Sequence, residues 1–159
     1  MKHIAVVGAG SIGRRHIDNL RLLHKNAQIY WLGATGQIPP AQRLQDIHYP
    51  ATLDELTALP LDYCVVASPA STLQPHLAVL LAQNIPVLVE KPLAATLTQG
   101  LQLQKICQAS PQVPVAVAYC LRFLPALQLL KTQLSNQAIG AVLHVNCHVA
   151  QYQIGRAHV

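Results

Sequence analysis

Residues 3–16 read HIAVVGAGSIGRRH, and the fold follows from how this stretch is read. A short apolar run, His3 to Val7, leads into Gly8-Ala9-Gly10-Ser11-Ile12-Gly13, and Ile12, Ile17, Leu20 and Leu23 make a helical stripe. A GxGxxG in isolation is a weak signal. Between a strand and a helix it is a strong one, because each glycine then has its own task. Gly8 permits a tight turn, Gly10 lets the backbone approach a pyrophosphate, and Gly13 lets the helix pack close to the strand. Ser11 and Ile12 open the helix, where free N–H groups and the positive end of the dipole attract an anion.

Working outward, four more short apolar runs follow: Gln28 to Leu32, Tyr63 to Ala67, Pro86 to Val89 and Val113 to Ala118. They are rich in Val and Ile and alternate little, as strands covered on both faces do. Helical stripes lie between them: Leu73, Leu77, Leu80 and Leu81, then Leu97, Leu101, Leu103 and Ile106. This rhythm predicts an α/β fold, a doubly wound parallel Rossmann sheet with right-handed crossovers. Pro39-Pro40 interrupts the second crossover, which is expected to be part loop and part short helix. The pattern changes near Leu121. Phe123 to Gln137 reads as one amphipathic helix, and Ala141 to Val149 alternates as a half-exposed strand does. Residues 1–121 are therefore expected to form a dinucleotide-binding domain. Residues 122–152 are expected to supply the first helix and strand of a second, α+β domain.

The chain has 159 residues, 52% hydrophobic and 11% charged, with a formal net charge of +5. Disorder is excluded by that apolar content. So sparse a charge implies apolar surface that meets a second domain or subunit. The basic residues are scattered and no basic run carries interleaved aromatics, so no nucleic-acid partner is expected. No apolar run approaches the roughly 20 residues of a membrane span, so no membrane is expected either. Cys64, Cys107, Cys120 and Cys147 form no CxxC pair and read as reduced, and the first residues run into a strand without the h-region and cleavage site of a signal peptide, so none is expected. Both point to the cytoplasm. His144 and His148 share a strand face with no third ligand placed to join them, so no metal is expected.

The candidate site lies beyond the carboxyl ends of the strands, where ligands of open α/β sheets bind. A sheet that prefers NAD usually carries Asp or Glu at the end of its second strand. Here that strand ends Leu32-Gly33-Ala34-Thr35-Gly36, with no acid to repel a 2′-phosphate. Thr35 and Arg14 are placed to meet the adenine ribose or its phosphate. The expected cofactor is NADP or NAD, with the balance toward NADP. Ser68-Pro69, with His76 following, forms a polar turn and helix cap after the Tyr63 run. Glu90-Lys91-Pro92 follows the Pro86 run. A solvated charge pair is the usual fate of Glu-Lys, but Lys91 at this edge is placed to hold the nicotinamide ribose or to exchange a proton with a substrate hydroxyl.

Val7 to His16, Val66-Ala67-Ser68-Pro69 with His76, and Val87 to Ala94 with its Glu-Lys-Pro tripeptide resemble the Gfo/Idh/MocA oxidoreductases, in the right order over residues 1–152. The resemblance implies an N-terminal Rossmann domain and a C-terminal open-faced β-sheet domain. It implies hydride transfer between a nicotinamide and a carbon of a sugar or cyclitol, with Lys91 as the catalytic residue and the parent a homo-oligomer. It implies a cis bond before Pro92, and cofactor contacts from Ser68, Pro69, His76 and Glu90. Ala118 to Pro125 resembles the family's second signature, which would put Tyr119 and Arg122 beside nicotinamide and substrate, with Cys120 where many members have Asn. The alternative is a non-catalytic NAD(P)-binding regulator or redox sensor, which needs the phosphate loop but no proton-transfer group.

The last residues, IGRAHV, are what a widely used sequencing adapter would encode, with Gln153 spanning the junction. Residues 153–159 are therefore expected to be adapter read-through. The chain is then expected to be a fragment that binds nucleotide without turning substrate over.

Overall fold

A computed structural model describes residues 1–148. Five strands, β1 (His3–Val7), β2 (Gln28–Leu32), β3 (Tyr63–Val66), β4 (Val87–Val89) and β5 (Val115–Val117), form one parallel sheet in the order β2-β1-β3-β4-β5. Five helices accompany them among the described residues: α1 (Ser11–Leu23), α2 (Leu53–Thr57), α3 (Ala70–Ala82), α4 (Leu97–Ala109) and α5 (Pro125–Ser135). The fold expected from the apolar rhythm is the fold observed.

The sheet explains why those strands alternate so little. Side chains along a strand point to opposite faces, and here each face meets its own core. Ile4, Val6, Ile29, Trp31 and Val65 pack with Ile17 and Leu20 of α1 on one side. Ala5, Val7, Tyr30, Leu32, Cys64, Val66, Val87 and Val89 pack on the other with Leu56, Leu73, Leu77, Leu80, Leu81 and Leu103 from α2, α3 and α4. Both parities must therefore be apolar. The β2–β3 crossover is mostly loop, with a 3₁₀ turn at Pro40–Gln42 and the short α2. It sends Ile38 and Ile47 into the first core. His48 covers the outer edge of β2, accepting from Trp31 N–H at 2.8 Å and donating to the Ile29 carbonyl at 2.9 Å.

Two of the predicted stripes need correction. Leu23 is 74% exposed. At about 100° per residue it sits roughly 80° around α1 from Gly13, and half-buried His24 takes the place on the buried row. In α4, Leu97 and Leu101 are exposed and Leu103 is buried, with Ile106 and Cys107 packed against the core. Leu101 and Leu103 are two residues apart and cannot share a helix face, so the stripe had merged two faces.

The chain parts into two compact units, Met1–Tyr119 and one beginning at Cys120. The helix expected from Phe123 starts instead at Pro125, after a 3₁₀ turn at Cys120–Phe123. Leu124, φ −69° and ψ 123°, is held extended because the residue before a proline is pushed out of the α region. The strand expected over Ala141 to Val149 does not form at residues 141–148. A strand needs a neighbour to satisfy its backbone, and no described segment pairs with this one. Val149 and the reading of residues 153–159 lie outside the described residues.

Candidate functional site

The order β2-β1-β3 places a topological switch between β1 and β3. The chain leaves β1 for β2 on one flank and returns to β3 on the other, which opens a crevice at the strands' carboxyl ends. The glycine loop sits at its mouth. Gly8 has φ +122°, a left-handed conformation that favours glycine. Its N–H donates to the Leu32 carbonyl at 2.8 Å, and its carbonyl accepts the indole N–H of buried Trp31 at 2.8 Å.

The three glycines differ in what demands them. A Cβ on Gly8 would strike the Ala67 carbonyl, and one on Gly13 would strike the Gly8 carbonyl. A Cβ on Gly10 would meet nothing within 4 Å. The first and third are required by the protein's own packing. The second keeps open a cradle that a side chain would fill. Gly10 also caps α1 without a side-chain hydrogen bond, and no acidic residue occupies the first turn. The N–H groups there suit an anion's oxygens.

A cavity of about 700 Å³ extends from this loop and is lined by residues 8–12, 33–37, 67–70 and 90–92, with Pro39 and Gln42. That size lies within the roughly 300–1,000 Å³ of small-molecule and cofactor pockets. Gly8, Gly10, Ser11, Ile12, Thr35, Ser68, Pro69, Glu90 and Lys91 are thus brought together. The lining stretch directly after β2, residues 33–37, holds no carboxylate. Arg14 stands outside it, on an adjoining recess with Ser11, Trp31 and Gln42, its Nε 3.3 Å from Asp18. Gly13 lies beneath the loop and does not face the cavity.

His76 also lies behind the wall. It is 8% exposed, and its Nδ1 is 3.2 Å from Ser68 Oγ. Burial pushes its imidazole below the usual range, and a hydrogen bond with the Ala34 backbone partly offsets this. It supports the turn that presents Ser68 and does not itself line the cavity. Pro69 caps α3 without a side-chain hydrogen bond, so the expected polar cap is absent.

Glu90 and Lys91 do not pair with each other's charge. Glu90 Oε1 is 2.8 Å from His16 Nε2, and Oε2 accepts the Lys91 backbone N–H at 3.2 Å. Among the described residues the Lys91 ammonium has no ion pair, and the side chain is exposed at the cavity. The Lys91–Pro92 peptide is cis. Tyr119 ends the first unit, is exposed and does not line the cavity. Arg122 belongs to the second unit, where its carbonyl accepts from Gln128 Nε2 at 3.4 Å. Sequence reasoning missed Trp31 and His16 as supports of the loop and of Glu90. Strand parity held the signal for the second: Leu88 and Glu90 are two residues apart and so share a face.

Comparison with known proteins agrees with this geometry. The profile of the Gfo/Idh/MocA group, described as "Oxidoreductase family, NAD-binding Rossmann fold", matches residues 2–119. An inositol 2-dehydrogenase of Acidothermus cellulolyticus is 32% identical over 144 residues, covering 86% of this chain and 41% of that protein. Glucose-6-phosphate 3-dehydrogenase of Bacillus subtilis is 27% identical, covering 93% of this chain and 42% of that protein. The chain thus spans less than half the length of either. Among solved structures, scyllo-inositol dehydrogenase of Lactobacillus casei, with NAD(H) and scyllo-inositol bound, superposes with a TM-score of 0.76 at 18% identity, covering 88% of this chain and 42% of that one. The WlbA dehydrogenase of Chromobacterium violaceum, in complex with NADH and UDP-GlcNAcA, gives 0.74 at 21%, covering 87% and 41%.

Proposed function

Because this chain belongs to the Gfo/Idh/MocA oxidoreductase family, we propose that its cavity holds a nicotinamide dinucleotide. We propose further that the protein of which this chain forms the dinucleotide-binding part oxidises a hydroxyl-bearing carbon of a sugar or cyclitol, or reduces the matching ketone. The observation that carries the reading is the single cavity that joins the glycine loop at residues 8–12 to Lys91. The loop's N–H groups and the space above Gly10 hold a pyrophosphate. Thr35 meets the adenine ribose, and Ser68 and Pro69 form the floor. The bound nicotinamide supplies a hydride acceptor or donor. The matching hydroxyl proton passes to or from Lys91 Nζ. Tyr119 and Arg122 are assigned to the substrate side on the resemblance of their sequence alone.

A regulator or redox sensor on the same sheet would use the loop but has no need of an ammonium at the cavity. Burial pushes the thiols of Cys64 and Cys107 up, away from the reactive thiolate. These cysteines therefore offer no redox switch. No described helix is long and apolar enough to cross a membrane, and the four cysteines are free. Both fit a working place in the cytoplasm.

For cofactor choice the reading favours NADP. Residues 33–37, which line the cavity directly after β2, include no carboxylate, and Arg14 stands beside the cavity in an exposed i,i+4 pair with Asp18. Such a pair is worth only about 0.3–0.5 kcal/mol, so the guanidinium is free to turn to a 2′-phosphate. Calorimetric titration of the 159-residue chain tests both levels. Binding of NADP⁺ or NAD⁺ is expected, with Arg14→Ala weakening NADP⁺ about tenfold and NAD⁺ little. Absence of heat with either up to about 1 mM overturns the reading. Equal effects of Arg14→Ala on both overturn the preference alone.

A further inference from the structure

Strand parity brings Glu90 to a particular place. Leu88 packs against the core that contains Ile17. Side chains two apart on a strand share a face, so Glu90 points to the same side, beneath α1. There it meets His16, the residue before Ile17. The two side chains are 19% and 12% exposed, and Nε2 lies 2.8 Å from Oε1. The other carboxylate oxygen takes the Lys91 backbone N–H, and the Glu90 N–H donates to the Val66 carbonyl at 2.8 Å. One carboxylate thus ties α1, which begins at the glycine loop, to the backbone that presents Lys91.

We propose that His16 is a positioning residue for the nicotinamide end of the cofactor, acting through Glu90 on the backbone at Lys91. The proposal rests on the reading of the cavity as a dinucleotide site. A ligand that engages the loop's N–H groups restrains α1. Through His16 and Glu90 the same restraint reaches the Lys91 edge, on the other side of the crevice. The half-buried setting matters, because hydrogen bonds to a charged group with restricted water are stronger than exposed ones. Loop and lysine therefore grip the two ends of one dinucleotide together.

The test compares two ligands on the wild-type chain and its variants by calorimetry. ADP carries the adenosine and pyrophosphate without the nicotinamide or its ribose, and NAD⁺ carries both ends. His16→Ala is expected to bind ADP within about twofold of wild type and NAD⁺ about tenfold more weakly. His16→Gln, whose amide N–H reaches the same distance, is expected to recover most of the loss. If His16→Ala melts too low to titrate, Glu90→Gln carries the comparison, with the loss again confined to NAD⁺. Equal losses for both ligands, no loss for either, or a Gln variant no better than Ala overturn the proposal. If wild type binds neither ligand, the same comparison is made with 2′-phospho-ADP and NADP⁺, and if it binds none of the four the cofactor reading falls and the proposal with it. If wild type binds both and the variants fail to discriminate, the positioning role alone falls.

Discussion

The two units use similar amino acids to different effect. In Met1–Tyr119, alternate residues of the first four strands enter two closed cores, and Leu73, Leu77, Leu80 and Leu81 of α3 are fully buried. Beyond Cys120, α5 carries Leu127, Leu129, Leu130 and Leu134, yet every described residue there is exposed. Apolar content alone does not make a core. It does so when another layer closes over it.

The sharpest way to probe this difference is one substitution in each unit. Leu77→Ala should lower the free energy of unfolding by about 2–5 kcal/mol, the usual cost of a buried cavity. Leu127→Ala should change it by less than about 0.5 kcal/mol, as surface changes do. Urea unfolding reads both. Similar losses would show that α5 is buried as firmly as α3 in solution.

Within the first unit the glycines allow a finer version. Gly13→Ala forces a side chain against the Gly8 carbonyl and should cost about 1–3 kcal/mol of stability. Gly10→Ala should cost under about 1 kcal/mol while reducing NAD⁺ affinity at least as much as Gly13→Ala does. Melting and titration of both variants separate packing from ligand space. If Gly10→Ala leaves affinity unchanged, the open cradle is not where the pyrophosphate lies.

Helix caps give a smaller contrast. Thr52 caps α2 by accepting the Glu55 N–H at 3.1 Å, whereas Leu124 caps α5 with no side-chain bond. Thr52→Ala should cost about 1 kcal/mol, and Leu124→Asp should raise hydrogen-exchange protection in the first turn of α5. Unchanged protection there would mean that the helix end is not limited by its missing cap.

The smallest effect is a pH slope. His76 is depressed in the folded state, so the unfolded chain binds the proton more readily. Its contribution to stability is present above the ordinary imidazole range near 6.5. It is lost as pH falls from there toward the folded value. Melting temperatures between about pH 5 and 7.5 should fall on the acid side, and His76→Gln should flatten that slope. A slope unchanged by the substitution would assign it to other groups.

Much of this was legible in the sequence because it is local. The strands showed themselves because both faces are buried, and the loop because its glycines sit between a strand and a helix. The cis bond before Pro92 came with the Glu-Lys-Pro resemblance. What was hidden is tertiary. The His16–Glu90 contact spans 74 positions and the Trp31–Gly8 bond 23. His76 carried no sign that it would lie behind the wall rather than in it. Periodicity also misled where two faces of α4 overlapped, and alternation at residues 141–148 could not supply the neighbour a strand needs.

Trp31 is the only tryptophan in the chain. It is 2% exposed, and its indole N–H holds the carbonyl of Gly8. The molecule therefore carries a single indole fluorophore, fastened to the first glycine of its phosphate loop. Its emission reports the loop's state without any label, and a reduced nicotinamide, whose absorption overlaps that emission, should quench it by energy transfer.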